Sequence, residues 1–355
     1  MAILVTGGAG FIGSHTCVQF LAAGYEIVIA DNLSNSKPHV IHRIQDIALM
    51  ESAFEQIDVS DSEALEDLFQ HYQIDAVIHF AGYKAVGESV REPLKYYRNN
   101  LDSTMTLLEA MGRHGVKTLV FSSSATVYGD PHAVPITEEF PLFTTNPYGS
   151  TKLMIEGILA DLHRSDPSWR IAILRYFNPI GAHESGLLCE DPQGIPNNLM
   201  PYVCQVAAGK QPILNVFGKD YPTVDGTGVR DYLHVMDLAD GHLAALRWLD
   251  QPTQNSQNSP DKSGKPGNLG IFNLGTGQGT SVLELVETFQ RENNIPVPYR
   301  ITDRRSGDIA ACYADPSKAA QELHWRTTRD LPAMCRDAWR AYLTHRAADG
   351  GSVGQ

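Results

Sequence analysis

Short apolar runs alternate with helical patterns through the first half of the chain, and that rhythm constrains the fold more than any other feature. Ile3-Leu4-Val5, Glu26–Ala30, Ala53–Ile57, Asp75–Phe80, Thr118–Ser122 and Arg170–Arg175 read as strands. Helical stretches fill the gaps, the first running from Phe11 to Ala23 and closed by Gly24, a residue type favoured at helix ends. Strands buried on both faces read as continuous apolar runs, so this pattern predicts a doubly wound parallel sheet covered by helices. After Phe177 the rhythm breaks, and Gly, Pro and Asn become dense between Asp191 and Asn198. The expected organisation is a first domain over 1–177 and a smaller α/β domain over 178–345. Tyr232 to Leu249 again reads as strand then amphipathic helix, so about 229–250 is expected to return to the first domain.

Gly7-Gly8-Ala9-Gly10-Phe11-Ile12-Gly13 joins the first strand to the first helix. Glycine is required where such a loop turns tightly, where backbone approaches a pyrophosphate, and where helix packs on strand. The helix N-terminus adds N–H donors and a positive dipole end. Asp31 ends the second strand, where a carboxylate binds adenosine ribose hydroxyls and repels a 2′-phosphate, which favours NAD over NADP. Strand, glycines, helix, strand and acid together predict a Rossmann-type dinucleotide site. Asp58 follows the third strand and suits either the adenine edge or a helix N-cap; its position alone leaves both open.

The fifth strand runs into Ser122-Ser123-Ser124, at the carboxyl edge where doubly wound sheets bind ligands. Asn146 is suited to cap a helix and Pro147 to begin it. Tyr148 and Lys152 then lie four apart and project from one side of that helix. A free phenol has a pKa of about 10, so a tyrosine base near neutrality needs a drop of about 3 units, or about 4 kcal/mol. A neighbouring ammonium and a cationic nicotinamide are the charges that could supply it. Tyr-x-x-x-Lys is common on surface helices; its weight comes from following a serine-bearing strand in a dinucleotide fold.

Ser124, Tyr148 and Lys152 in this order, with Gly7, Gly10 and Gly13, resemble the extended short-chain dehydrogenase/reductase family. Longer motifs narrow the resemblance to the UDP-hexose 4-epimerases of that family: Ile78–Gly82, Lys84–Ser89, Ser122–Gly129, Arg175–Asn178, Glu190–Leu199 and Asp225–Tyr232. It extends from residue 1 to about 345. The resemblance implies retained NAD, a UDP-glucose/UDP-galactose substrate, transient oxidation at C4 and a homodimer. It implies Ser124, Tyr148 and Lys152 as catalytic residues. For the cofactor it implies Gly7, Gly10, Phe11, Ile12, Gly13, Asp31, Asn32, Asn35, Ser36, Asp58 and Val59. It adds Phe80, Ala81, Gly82, Lys84, Asn99, Ser122 and Phe177, besides Tyr148 and Lys152. Around the substrate it implies Ser124, Tyr148, Asn178, Asn197, Asn198, Leu199, Val216, Phe217, Arg230, Arg305, Asp308 and Cys312. Cys312 falls where glucose-restricted relatives carry a bulky tyrosine, so the resemblance also implies activity on UDP-GlcNAc and UDP-GalNAc. A small buried thiol in a core is the plainer reading of the same residue.

Two other functions are weighed by the residues. A nucleotide-sugar 4,6-dehydratase needs an acid and a base after the serine, and Ala125-Thr126 supplies neither. A non-catalytic NAD sensor has no need of Ser124, Tyr148 and Lys152 together. Composition narrows the partners: 28 Lys plus Arg against 41 Asp plus Glu give a formal charge of -13, which argues against nucleic acid and anionic membranes. Five scattered cysteines make no disulfide framework, and Met1–Gly7 reads as a strand rather than a leader, so a reduced, cytoplasmic setting is expected. His39 and His42 lack a third ligand nearby, so no metal is expected. Gln251–Asn268 is polar and reads as a surface loop longer than in relatives.

Overall fold

The computed structural model describes residues 1–191, 196, 198–251, 267–305 and 307–348. The strands of the first half are β1 (Ala2–Thr6), β2 (Glu26–Ala30), β3 (Ala53–Glu55), β4 (Ala76–His79), β5 (Thr118–Ser124) and β6 (Arg170–Tyr176). Between them lie α1 (Phe11–Ala22), α2 (His39–Ala48), α3 (Ser62–His71), α4 (Val86–Arg91), α5 (Pro93–His114) and α6 (Pro147–Ser165). The chain then forms β7 (Asn178–Ile180), α7 (Leu199–Ala207), β8 (Leu214–Phe217), β9 (Val229–Arg230), β10 (Tyr232–His234), α8 (Val235–Leu249) and β11 (Leu269–Leu274). Short strands β12 (Thr280–Ser281), β13 (Tyr299–Thr302) and β14 (Ala311–Cys312) follow.

The main sheet has the order β11-β6-β5-β4-β1-β2-β3 and is parallel throughout. The chain winds outward from β1 to β3, crosses back to β4, and winds outward again. The crevice between the carboxyl ends of β1 and β4 is therefore the switch point where such sheets bind ligands. Side chains alternate across β1: Ile3 and Val5 join the core beneath α1 and α8, while Leu4 joins the core beneath α3, α5 and α6. Both faces are dry, as the continuous apolar runs require.

Several boundaries differ from the sequence reading. β5 continues two residues further, to Ser124. β3 stops at Glu55, because Ile57 turns back to donate to the Glu55 carbonyl at 3.1 Å. β10 pairs with β7 outside the main sheet, whereas α8 packs on α1. On its other side Gly241 lets α8 approach β11: a Cβ there would meet Leu274 Cδ1 at 2.8 Å. β11, the outer strand beyond β6, was not anticipated, since only its pairing with Ile171–Tyr176 distinguishes it from any short apolar run. A separate core of Ile180, Met200, Val203, Val216, Tyr232, Leu285, Phe289 and Met334 holds the smaller lobe together. The long polar loop lies almost wholly outside the described residues. Among those residues no helix is long and apolar enough to cross a membrane, and no three His, Cys, Asp or Glu are grouped to hold a metal.

Candidate active site

The glycine loop is built by close contacts that exclude side chains. Gly7 has φ +70°, and a Cβ on it would lie 2.8 Å from the Ala81 nitrogen, so β1 and β4 turn past each other at contact distance. A Cβ on Gly13 would sit 2.4 Å from the Gly7 carbonyl oxygen. Gly10 caps α1 without any side-chain bond to the helix, which leaves its first N–H groups facing the crevice. Asp31, at the tip of β2, accepts from Ala9 N at 3.0 Å, Leu33 N at 2.8 Å and Ser36 Oγ at 3.0 Å. Its carboxylate is thus fixed beside the glycine loop, in the position that suits ribose hydroxyls.

Asp58 serves neither as helix cap nor as an unattached acid. Asp61 caps α3, accepting from Glu63 N and Ala64 N. Asp58 accepts instead from Ser60 and from Asn32 Nδ2 at 2.9 Å, tying together two loops of the crevice rim. Burial alone would raise its pKa, but these donors outweigh that and lower it.

A cavity of about 460 Å³ runs along the carboxyl edge, within the usual range for small-molecule sites. Gly7, Gly10, Phe11, Ile12, Gly13, Asp31, Asn32, Asn35, Ser36, Asp58 and Val59 line one end. Phe80, Ala81, Gly82, Lys84, Asn99, Ser122, Tyr148 and Lys152 line the rest. Phe177 is the exception among the residues expected there. Tyr176 takes that wall, and Phe177 packs with Ala125, Val127, Ile136 and Cys312. The mouth carries ion pairs that sequence reasoning missed, although Lys84 itself was expected there: Lys84 pairs with Glu190 at 3.0 Å, and Lys37 pairs with Asp191. These pairs join residues far apart in the chain, so no local pattern announced them.

Ser124, Tyr148 and Lys152 converge from two elements. Asn146 Oδ1 accepts from Gly149 N at 2.9 Å and Pro147 begins α6, so Tyr148 stands in its first turn. A Cβ on Gly149 would lie 3.1 Å from the Thr126 carbonyl oxygen, showing how closely α6 approaches the turn that follows β5. Ser124 Oγ accepts from Thr126 N at 3.2 Å and Thr126 Oγ1 at 3.0 Å, which leaves its proton to act on the Tyr148 phenol, whose pKa it lowers. Lys152 is buried and donates to the Ser122 carbonyl at 2.7 Å. Burial pushes its pKa down to about 8, against the pull of Glu156. The Tyr148 phenol moves up instead, because its enclosure outweighs the lowering effects of Ser124 and Lys84. The protein's own groups therefore keep the phenol protonated near neutrality.

The smaller lobe presents a second set of groups. Arg305 lies 4.6 Å over the Phe217 ring and pairs with Asp308 at 3.0 Å. Val216 is buried beside Phe217 on β8. Arg230 on β9 donates to the Val229 and Ile309 carbonyls, and its register partner on β14 is Cys312. Cys312 is nearly buried, next to Phe177, and burial raises its thiol to about 11. Asn178 is exposed on β7, Leu199 opens α7, and Asn198 donates to Glu190 at 2.5 Å. Asn197 lies outside the described residues.

The comparisons with known proteins agree with this geometry. Residues 3–258 match the NAD dependent epimerase/dehydratase family. A UDP-glucose 4-epimerase of Bacillus subtilis is 58% identical over 340 residues, 96% of each chain. The UDP-glucose 4-epimerase of Bifidobacterium longum, solved with NAD+ and UDP, superposes with a TM-score of 0.90 at 50% identity, over 97% of this chain and 98% of that one. That of Stenotrophomonas maltophila, solved with NAD and formylated UDP-arabinopyranose, gives 0.92 at 48% identity over 98% and 99%. The chain belongs to the NAD dependent epimerase/dehydratase family, among its UDP-glucose 4-epimerases.

Proposed function

We propose that this protein interconverts UDP-glucose and UDP-galactose with NAD held in the crevice, and that it also epimerises UDP-GlcNAc and UDP-GalNAc. The observation that carries the reading is that Tyr148 and Lys152 together line the dinucleotide cavity, with Ser124 at the tip of β5 acting on the Tyr148 phenol. Bound NAD supplies the hydride acceptor and donor for C4. Tyr148 takes the proton of the sugar 4-hydroxyl, and Ser124 bonds the same oxygen. Lys152, charged below about pH 8, holds the nicotinamide ribose and favours the phenolate. Inversion requires the sugar to turn over while the UDP stays gripped, so the binding groups are placed unequally. Phe217, Arg230, Arg305 and Asp308, with Asn178, Asn197, Asn198, Leu199 and Val216, are assigned to the UDP. Arginine suits the diphosphate because its planar fork donates two parallel bonds.

The N-acetyl activity rests on Cys312, a small side chain that shares an apolar cluster with Phe177 and that the resemblance assigns to the hexose. Proton NMR of purified protein with UDP-GalNAc, with UDP-galactose in parallel and no added NAD, tests both statements. Conversion of both sugars is expected. Cys312→Tyr is expected to remove the N-acetyl activity and keep UDP-galactose turnover within about threefold. Equal loss on both sugars removes the gate, and no conversion by the unaltered protein, even with NAD, removes the epimerase.

The cofactor role is assigned to residues 1–177 with 229–250, and the UDP-sugar role to 178–345. A homodimer is assigned to the α4–α6 side, where Val90, Leu94, Met105 and Met154 expose apolar surface. Light scattering after size-exclusion chromatography is expected to give twice the 39.0 kDa chain mass, falling to one chain in Leu94→Glu/Met105→Glu. A monomer before substitution removes the assignment.

A further inference from the structure

One turn beyond Lys152 on α6 stands Glu156, buried and paired with Arg175 of β6. The pair is bidentate: Arg175 Nη2 reaches Oε2 at 2.6 Å and Nε reaches Oε1 at 3.0 Å. Ser123, the neighbour of Ser124, donates its hydroxyl to the same carboxylate. Arg175 also donates to the Tyr128 hydroxyl at 3.0 Å and the Glu138 carbonyl at 3.2 Å. Tyr128 in turn donates to Asn273 Oδ1 at 2.6 Å, which ties β6 to β11 and to the turn after β5. None of these residues lines the cofactor cavity.

A buried ion pair adds little stability over a well-packed apolar pair, so stability is a poor account of this one. Its position gives a better one. Side chains four apart on a helix share a face, which puts the Glu156 carboxylate beneath Lys152. Lys152 itself is held by the Ser122 carbonyl and lies 4.9 Å over the Phe121 ring, both on β5. From its own helix Tyr148 faces it, with the ring 6.0 Å away. His79 of β4 faces it too, and burial holds that imidazole neutral, near pKa 3. Lys84, from the loop after β4, acts on Tyr148 rather than on Lys152. The acid that acts on Lys152 is Glu156.

We propose that Glu156 is a positioning residue for the Tyr148–Lys152 pair: its carboxylate, pinned by Arg175 and Ser123, holds a fixed negative charge beneath Lys152 and anchors the end of β5 from which Ser124 projects. The rigid partners matter because a mobile carboxylate would swing to the ammonium and compete with the ribose for its donors. Pinned from two sides, it acts through its field and leaves the Lys152 protons to face the cavity.

This proposal rests on the catalytic reading of Lys152, which Lys152→Ala tests separately: full turnover in that variant defeats the catalytic reading itself. For Glu156 the measurement is the pH profile of kcat of the holoenzyme with UDP-galactose. Deprotonation of Lys152 sets the alkaline limb. Removing the negative charge disfavours the ammonium, so Glu156→Gln is expected to move that limb to lower pH by about one unit. Glu156→Asp keeps the charge and is expected to leave the limb within about 0.3 unit of its original place. Should Glu156→Gln fail to fold because Arg175 is left buried alone, the double variant Glu156→Gln/Arg175→Gln carries the test. It buries no lone charge and is expected to shift the limb in the same direction by a smaller amount. An unmoved limb in the charge-removing variant, whatever the height of kcat, overturns the proposal, and so does an Asp variant displaced as far as the Gln variant.

Discussion

Tyr148→Phe is expected to lower kcat for UDP-galactose by about 1,000-fold, or about 4 kcal/mol, with NAD still bound. The substitution removes one oxygen and leaves the ring in place. The Asn146 cap, the Gly149 approach to Thr126 and the Lys152 bond to Ser122 are all untouched by it. What disappears is the phenol oxygen assigned to take the proton of the sugar hydroxyl. Ser124 cannot substitute, since its oxygen already accepts two bonds from Thr126 and it has no base behind it. Coupled turnover measured with cofactor content by absorbance separates the two effects. A variant that keeps NAD and loses turnover supports the assignment; one within tenfold of the original rate removes Tyr148 from the base role. A variant that loses turnover and NAD together removes it as well, because the phenol would then serve to bind the cofactor.

The pH behaviour follows from the same residues. Enclosure raises the phenol of the protein alone, and the cationic nicotinamide has to bring it below Lys152 for turnover near neutrality. The holoenzyme is therefore expected to lose activity as pH drops and Tyr148 is protonated. Lys152 is lowered to about 8, so activity is also expected to fall as pH rises through that value and the ammonium is lost. The product of the two is a bell whose alkaline side belongs to Lys152.

Gly13→Ala is expected to weaken NAD binding more than a hundredfold, at a cost of about 3 kcal/mol. The new methyl would meet the Gly7 carbonyl oxygen at 2.4 Å and the Gly8 Cα at 2.8 Å, and both are backbone atoms. No rotamer change relieves such a clash, so the loop itself must move away from α1. The loop is also braced from its other side by β4, through the contact of Gly7 with Ala81. Displacing it separates the α1 N-terminus from Asp31, and the pyrophosphate and ribose can no longer be held together. Cofactor content after purification, followed by titration with NAD, measures this. By contrast Gly24→Ala meets no atom within 4 Å, although its φ of +84° makes it mildly strained, and it is expected to keep NAD in full. Retention of NAD by the Gly13 variant would show that the loop is not the cradle.

The cofactor half of the site was legible because its signals are local. A glycine that must approach a carbonyl, an acid at a strand tip and a phenol four residues before an ammonium are all fixed by the chain's own short-range geometry. Nothing distant is needed to place Gly7, Gly13, Asp31, Tyr148 and Lys152 along one edge once strands and helices alternate. The Cys312 thiol and the arginines were reached only through the resemblance, because no spacing within the chain says that β14 lies against β9.

Where tertiary structure decided, the reason is register or return. In extended chain, adjacent residues face opposite ways, so a one-residue difference determines whether Tyr176 or Phe177 meets the cofactor cavity. β11 comes back to the main sheet from far along the chain, and only its pairing with β6 reveals it. Asp58 left cap and ligand equally open in the sequence; folding gave the cap to Asp61 and set Asp58 in the cavity wall, held by Ser60 and Asn32. Glu156 carries no motif, and the motif that begins at Arg175 says nothing of its partner: they lie on different elements, and only the packing of α6 on β6 puts opposite charges together beneath Lys152. The sequence by itself thus determined the chemistry that depends on neighbours along the chain, while folding decided the contacts between residues that are neighbours only in space.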